Sequence, residues 1–302
     1  MNQTSAMKKF FVIYMLLLSL SSIAQENNSS FGRKYTSNEV YRYRLTTYSY
    51  YNNQLTSKAI AICELKVVDD AGVPYDEIRW LSKKEYHTDS TDLTKEANAV
   101  PAYRISLHPK GKLEIPALNN ARMTGEITDF NTFFVGVSPL MGIANLQKPD
   151  DRFTKPDVVK GNFANGKDIL RGQDCLQVTL TLLTETATDV SIQSTFLPPA
   201  QNCLDYFLPE FSTPVAKDTI NNFQMVRMFG KGDNLIGVMY GKENFTITST
   251  VRKKDGKIRH AVMENQLLLK GKMQCDEALK NCAITLPNAN TIYRKLELEL
   301  LD

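Results

Sequence analysis

Three histidines, His87, His108 and His260, are the side chains best suited to acid–base chemistry near neutral pH. Nothing in the sequence pairs them with a serine or cysteine nucleophile, and Ser138 lacks the second glycine that a nucleophile elbow requires. We therefore assign no catalytic residue and expect a protein that is not an enzyme. A hydrolase of envelope polysaccharide or peptide stays the alternative, because carboxylates are plentiful and sequence does not show whether two of them share a cleft.

The five cysteines offer disulfide chemistry. Because there is no C-x-x-C and the histidines are scattered, a zinc site is disfavoured, and we expect neither a metal nor a cofactor. Cys275 and Cys282 are the best candidate pair. An ideal helix would hold their Cα atoms roughly 10 Å apart, so this bridge requires a loop or a bent turn. Cys175 and Cys203 form a second candidate pair across one hairpin, and Cys63, on the apolar face of a predicted strand, is expected to be a buried free thiol.

A glycine-rich loop with a lysine, Gly161 to Lys167, matches part of a phosphate-binding motif. Asp168 stands where that motif needs a serine or threonine to hold magnesium, so we expect no nucleotide there. The net charge of +3 is too small to make a nucleic acid the default partner. Neither class of ligand is therefore predicted.

The chain begins with a pattern that is typical of a secretory signal peptide. Lys8-Lys9 supplies a positive start, residues 10–20 form an apolar run, and small residues follow. We predict that residues 1–24 are the signal peptide, with cleavage between Ala24 and Gln25 and a periplasmic or secreted product. The run is shorter than the roughly 20 residues that cross a bilayer, so we expect no transmembrane anchor after cleavage.

The dominant hydrophobic period is two, as expected of strands with one buried face and one solvent-exposed face. In the segment that starts at Val40, Tyr41 and Tyr43 alternate with Arg42 and Arg44. Similar segments recur along the chain, separated by short turns that favour antiparallel pairing. We predict an all-β fold, mainly antiparallel, with about ten strands in hairpins that form a curved sheet, a half-barrel or a sandwich.

One segment has helical spacing, and it predicts a short helix over Asp129–Val137. Residues 145–172 are richer in Gly, Pro, Asn and Lys and are interpreted as a loop-rich connector. This divides the mature chain into a flexible leader over 25–38, an N-terminal β half over 39–144 and a C-terminal β half over 173–302. Whether the two halves form one domain or two stays open, since all-β chains of this size often form a single domain.

Aromatic side chains are the candidates for contact with a ligand, because a ring offers an apolar face and tyrosine adds a polar tip. The alternative role is stabilisation of the sheet by cross-strand pairs. The candidates are Tyr41, Tyr43, Trp80, Phe130, Phe133 and Phe134.

Four segments carry a family resemblance: Lys8-Lys9 with Ala24-Gln25, Val40 to Tyr43, Thr128 to Phe134, and Lys254 to Ile258. In these the chain resembles uncharacterised exported β-rich proteins of Gram-negative bacteria. The resemblance brings no known activity or functional residue. The layout is also similar to the open half-barrels of periplasmic lipoprotein carriers, a likeness of fold alone. The density of alternating strands, together with the apolar segment Phe130–Phe134, leads us to expect a non-catalytic exported protein that binds an apolar ligand or an envelope protein.

Overall fold

The computed structural model describes residues 31–116, 121–157, 162–165, 168–171, 176–200, 221–228, 236–276 and 281–301. The predicted signal peptide and the candidate pair Cys175 and Cys203 lie outside these ranges. In the part of the chain that is described, no helix is long and apolar enough to span a membrane.

The described residues form one antiparallel sheet of 14 strands. The strands are β1 Val40–Tyr51, β2 Gln54–Asp70, β3 Val73–Tyr86, β4 Ser90–Asp92, β5 Tyr103–Ile105, β6 Arg152–Thr154, β7 Asn162–Asn165, β8 Asp168–Arg171, β9 Gln177–Glu185, β10 Asp189–Leu197, β11 Phe223–Met228, β12 Ile236–Arg252, β13 Ile258–Cys275 and β14 Cys282–Leu301. The helices are α1 Thr94–Asn98 and α2 Thr124–Val135, with 3₁₀ turns at Ala121–Met123, Pro139–Met141 and Ile143–Asn145. The prediction of a mainly antiparallel all-β fold is confirmed.

The strand order is β4-β3-β2-β1-β14-β13-β12-β10-β9-β6, with β5, β7, β8 and β11 off this path. The first strand therefore lies beside the last, and Tyr43 in β1 is the register partner of Leu300 in β14. Strands of the two predicted halves belong to one sheet because β14 joins them. The further division into domains stays a prediction.

The two faces of the sheet differ as the alternation predicts. Tyr43, Leu45 and Leu298 are buried on the inner face, against which α2 packs. Arg44 and Glu299 pair at 2.5 Å on the outer face, where both are partly exposed. An antiparallel sheet with one wet face produces this pattern, because successive side chains point to opposite faces.

Helix α2 differs from the predicted helix over Asp129–Val137: it starts earlier, at Thr124, and ends at Val135. The Thr128 hydroxyl donates to the Thr124 carbonyl oxygen at 2.9 Å inside the helix, so it does not cap the helix start. The Asp129 carboxylate accepts from Arg294 and does not cap the helix either. Helix α1 was not expected, because five residues are too few to show a helical period.

Residues 31–38, within the predicted flexible leader, pack onto the sheet. Phe31 is buried, and the Arg33 side chain is only 1% exposed where it pairs with Asp76 at 3.1 Å. Gly256 lies in the left-handed region at φ +69°, and a Cβ atom there would stand 2.3 Å from the Gly32 carbonyl oxygen. A glycine is therefore required for this close approach of the N-terminal segment to the β12–β13 turn.

The cysteine predictions that fall on described residues are confirmed. Cys275 and Cys282 are register partners at the ends of β13 and β14 and form a disulfide. The antiparallel pairing of β13 and β14 brings the two cysteines together there, as the bridge requires. Cys63 is a buried free cysteine, and burial raises the pKa of its thiol.

Candidate functional site

The six candidate aromatic residues lie in the packed core between α2 and the inner face. The Phe130 ring is 5.8 Å from Tyr43 and 5.6 Å from Trp80, centroid to centroid, both edge-on. Phe133 and Phe134 are also buried, and Tyr41 contacts Tyr43 edge-on at 5.7 Å. The structure thus brings all six together as a core cluster. Tyr41 also borders an open groove.

Beside this core the inner face carries a group of polar side chains, which we call the polar band. Strand register places them together, because Asn265 in β13 is the partner of Arg294 in β14. The first turns of helix α2 contribute two buried carboxylates, Glu126 and Asp129, to this group. The band consists of Lys83, Glu126, Asp129, Glu243, Asn265 and Arg294.

The cations of the polar band are held by carboxylates. Lys83 Nζ lies 2.8 Å from Glu126 and 2.8 Å from Glu85, and its side chain is almost fully buried. Arg294 donates to Asp129, and a quarter of its side chain (25%) reaches solvent. The band is therefore buried at Lys83 and open to water at Arg294.

Glu243 differs from the other carboxylates of the band because the structure shows no cation paired with it. It is 4% exposed, and its Oε1 accepts from Asn265 Nδ2 at 2.7 Å. Among the described residues, Glu243 Oε2 and Asn265 Oδ1 are buried without a hydrogen-bond partner. The Glu243 main chain is fixed by Asn222, whose Oδ1 accepts from the Glu243 amide at 2.7 Å.

Burial dominates the electrostatics of these carboxyl groups. It raises the pKa of Glu243 to about 7, against the smaller opposing effects of the Asn265 hydrogen bond and the charge of Arg294. Burial also raises the pKa of Asp129 and of Glu126, although Arg294 and Lys83 respectively act to lower them. The site can therefore change charge near neutral pH, and its unpartnered oxygens can accept hydrogen bonds.

Aliphatic side chains adjoin Glu243 on the inner face, and the leucines among them are buried, Leu267 at 6% and Leu269 at 1% exposed. Leu267 is the register partner of Glu243 on one side and of Ile292 on the other. We call Leu267, Leu269 and Ile292 the aliphatic patch. Leu268 lies between the two leucines but points to the outer face, where it is 48% exposed. The alternation thus gives neighbouring leucines opposite environments.

Two open grooves, of about 620 and 510 Å³, lie next to each other and share Arg252 and Leu300. The first contains His260 with Glu299 and Asp189. Both carboxylates are already paired, Glu299 with Arg44 at 2.5 Å and Asp189 with Arg259 at 3.5 Å. Each of these carboxylates thus has a guanidinium partner, although Asp189 Oδ1 is buried without a hydrogen-bond partner among the described residues.

The other two histidines lie elsewhere. His87 follows β3, and its Nδ1 is 3.0 Å from the Thr56 carbonyl oxygen. His108 lies in the turn after β5, where its Nδ1 accepts from the Lys110 amide at 3.2 Å. Each of the three histidines thus occupies a different element or turn, so the structure does not assemble them into one site.

Sequence reasoning missed Glu243, Asn265 and Arg294. Each stands in phase with buried apolar residues of its own strand, as Asn265 does between Met263 and Leu267. A polar residue at an apolar position of an alternating strand was the available signal, because buried polar groups require partners.

Comparison with known proteins gives little further information. No protein-family model matches the chain, and no curated protein sequence matches it significantly. Among solved structures, it is similar to one titled "Lipid-protein interactions in lipovitellin", with a TM-score of 0.36 and 11% identity. The match covers 89% of this chain and 26% of that chain, so the chain spans about a quarter of the lipovitellin length. Similarity at this level carries no argument about function.

Proposed function

We propose that the protein is an exported, non-catalytic binding protein of the cell envelope that holds a partly apolar ligand against the inner face of its sheet. The observation that carries the proposal is the pair of buried acceptor atoms, Glu243 Oε2 and Asn265 Oδ1, beside the aliphatic patch. Buried polar atoms nearly always have a hydrogen-bond partner. A ligand with a donor group and an apolar body would satisfy these atoms and cover the patch together.

Two features support the cell envelope as the location. The Cys275–Cys282 disulfide is typical of an oxidising compartment. The Lys8-Lys9 start and the apolar run after it are typical of a signal peptide. Both support a periplasmic or secreted location, and an envelope protein is the other partner that such a location offers.

We favour binding over hydrolysis because of the state of the carboxylates. A hydrolase that acts with two carboxyl groups needs both of them free in a cleft. Glu243 has a pKa suited to acid–base chemistry, but Asp129, which interacts with it electrostatically, accepts from Arg294. Asp129 is therefore not free to act as the second carboxyl group beside Glu243.

Native mass spectrometry after gentle extraction from the producing cells tests the proposal. We expect a bound small molecule on the wild-type protein. Leu267→Trp fills the inner face and should lose the molecule, whereas the matched variant Leu268→Trp, on the outer face, should keep it. Folding of both variants is checked by circular dichroism. A wild-type protein of bare mass, or equal retention by both folded variants, would contradict the proposal.

A further inference from the structure

We infer that the polar end of the ligand is a primary ammonium group that binds between Glu243 and Asn265. This inference rests on the proposed function and names the chemistry of the same site. The inner face then recognises an amphipathic amine: the ammonium group at the polar band and the alkyl chain on the aliphatic patch.

The hydrogen-bonding capacity of the two residues points to a donor. Glu243 and Asn265 lie on the neighbouring strands β12 and β13 and share one hydrogen bond, 2.7 Å long. The atoms left over, Glu243 Oε2 and Asn265 Oδ1, are both acceptors, and both residues are more than nine-tenths buried. An ammonium group has three donors and no acceptor, whereas a carboxylate or phosphate would set acceptor against acceptor.

The charges of the polar band favour a positively charged group on the ligand. Lys83 is paired with Glu126, and Arg294 is paired with Asp129. Glu243 has no ion pair within 4 Å in the parts of the chain that the structure describes. The band contains three carboxylates and two cations, and Glu85 adds a fourth carboxylate at Lys83, so a bound monocation would reduce the excess negative charge. An unpaired buried charge is costly, so the added cation is favoured.

The titration of Glu243 adds a dependence on pH. Its pKa is raised to about 7 by burial, and the charged groups that act on it are Arg294 from β14 and Asp129 from α2. An ammonium group binds the ionised carboxylate, so binding should weaken as pH falls through 7. For one such group, affinity at pH 6 should be roughly tenfold lower than at pH 8.

Calorimetric titration with octylamine and with octanol, which share the alkyl chain, tests the inference. We expect wild-type protein at pH 8 to bind octylamine at least tenfold more tightly than octanol. Glu243→Gln keeps the size of the side chain and removes its charge, so it should abolish this preference. Glu264→Gln, on the outer face of β13, is the matched control and should keep it. A single-chain phosphoethanolamine lipid in a parallel titration shows whether the ammonium group of a phospholipid is also accepted.

The outcomes separate this inference from the proposed function. Equal binding of octylamine and octanol, with no effect of pH, overturns the ammonium group but leaves apolar binding at the inner face intact. Binding of neither compound, together with a bare mass in the native spectrum, overturns both. The pH dependence is measured on the wild-type protein, so the inference remains testable if Glu243→Gln does not fold.

Discussion

A carboxyl group buried beside leucines, as Glu243 is, couples the stability of the protein to pH. Its pKa in the folded state is about 7, above the roughly 4.3 of a free glutamate. The proton is therefore bound more tightly in the folded state, and stability is lost as pH rises from about 4 through 7. Glu243→Gln removes this loss, since glutamine is neutral at every pH.

We predict that Glu243→Gln equals the wild type in free energy of unfolding near pH 4 and exceeds it by up to ~3 kcal/mol at pH 8. Urea unfolding across this pH range measures the difference. Glu264→Gln, on the outer face, should follow the wild-type profile. A Glu243→Gln curve that runs parallel to the wild-type curve at all pH values would show that Glu243 titrates normally.

The ion pair between Arg33 and Asp76 should matter more than the ion pairs on the outer face. Both side chains are about 1% exposed, so removal of the Asp76 charge leaves the buried Arg33, among the described residues, with only its longer ion pair to Glu39, at 3.6 Å. We predict that Asp76→Asn costs about 3–5 kcal/mol in free energy of unfolding. Glu77, next in the sequence, pairs with Arg79 at 3.3 Å, and the Arg79 side chain is largely exposed. We expect Glu77→Gln to lower the free energy of unfolding by less than ~1 kcal/mol. Similar urea midpoints for the two variants would refute this ranking.

At the scale of elements, helix α2 links the core to the polar band. The Phe130 ring packs edge-on against Tyr43 and Trp80. The preceding residue, Asp129, accepts a hydrogen bond from Arg294. One side of α2 thus packs in the apolar core, and the adjacent side contributes to the polar band. Displacement of α2 should therefore disturb both.

We predict that Phe130→Ala destabilises the protein by about 3–5 kcal/mol, because it leaves a cavity among aromatic rings. Leu140→Ala, at a site that is 58% exposed, should change stability by less than ~0.5 kcal/mol. Thermal unfolding followed by circular dichroism gives both values. A small effect of Phe130→Ala would mean that α2 is not part of the cooperative core.

The sequence predicted which face of a strand is buried better than it predicted the residues at which helices and strands begin and end. Alternation in β1 assigns Tyr43 inward and Arg44 outward, because strand geometry leaves only two directions for a side chain. The spacing of Phe130, Phe133 and Phe134 likewise predicts a helix. The start of α2 was missed because Met123 precedes it without a side-chain cap, so no capping residue marks position 124.

The polar band could not be predicted as one site, because its residues come from distant parts of the sequence. Arg294 and Asp129 are separated by 165 positions, and only the sheet order and the placement of α2 bring them together. Single polar residues within apolar alternation were visible in the sequence. Which of them meet depends on tertiary contacts that local patterns do not contain.

At the scale of the whole molecule, β14 holds the sheet together. It lies between β1 and β13, and its residues 292–301 pair with β1. These pairings close a loop of most of the chain, which is a slow and cooperative step in folding. The strands β1 to β3 therefore depend on the final segment for their connection to the rest of the sheet.

We predict that deletion of residues 292–302 prevents folding of the whole sheet, because it removes all pairing of β1 with β14 and more than half of the pairing of β13 with β14. Circular dichroism and urea unfolding of the truncated chain measure this. The double variant Cys275→Ala/Cys282→Ala is the milder comparison: it should stay folded and lose about 2–3 kcal/mol. Two separate unfolding transitions in the wild type, with only one lost on truncation, would indicate independent halves.

The central claim is that the inner face binds an amphipathic ligand through Glu243 and the aliphatic patch. Methyl NMR with octylamine tests it most directly, since intermolecular nuclear Overhauser effects report contacts between ligand and side chain. The account predicts effects from the alkyl chain to the methyl groups of Leu267 and Leu269 and none to Leu268. Contacts to Leu268 alone, or no contacts at saturating octylamine, would contradict it.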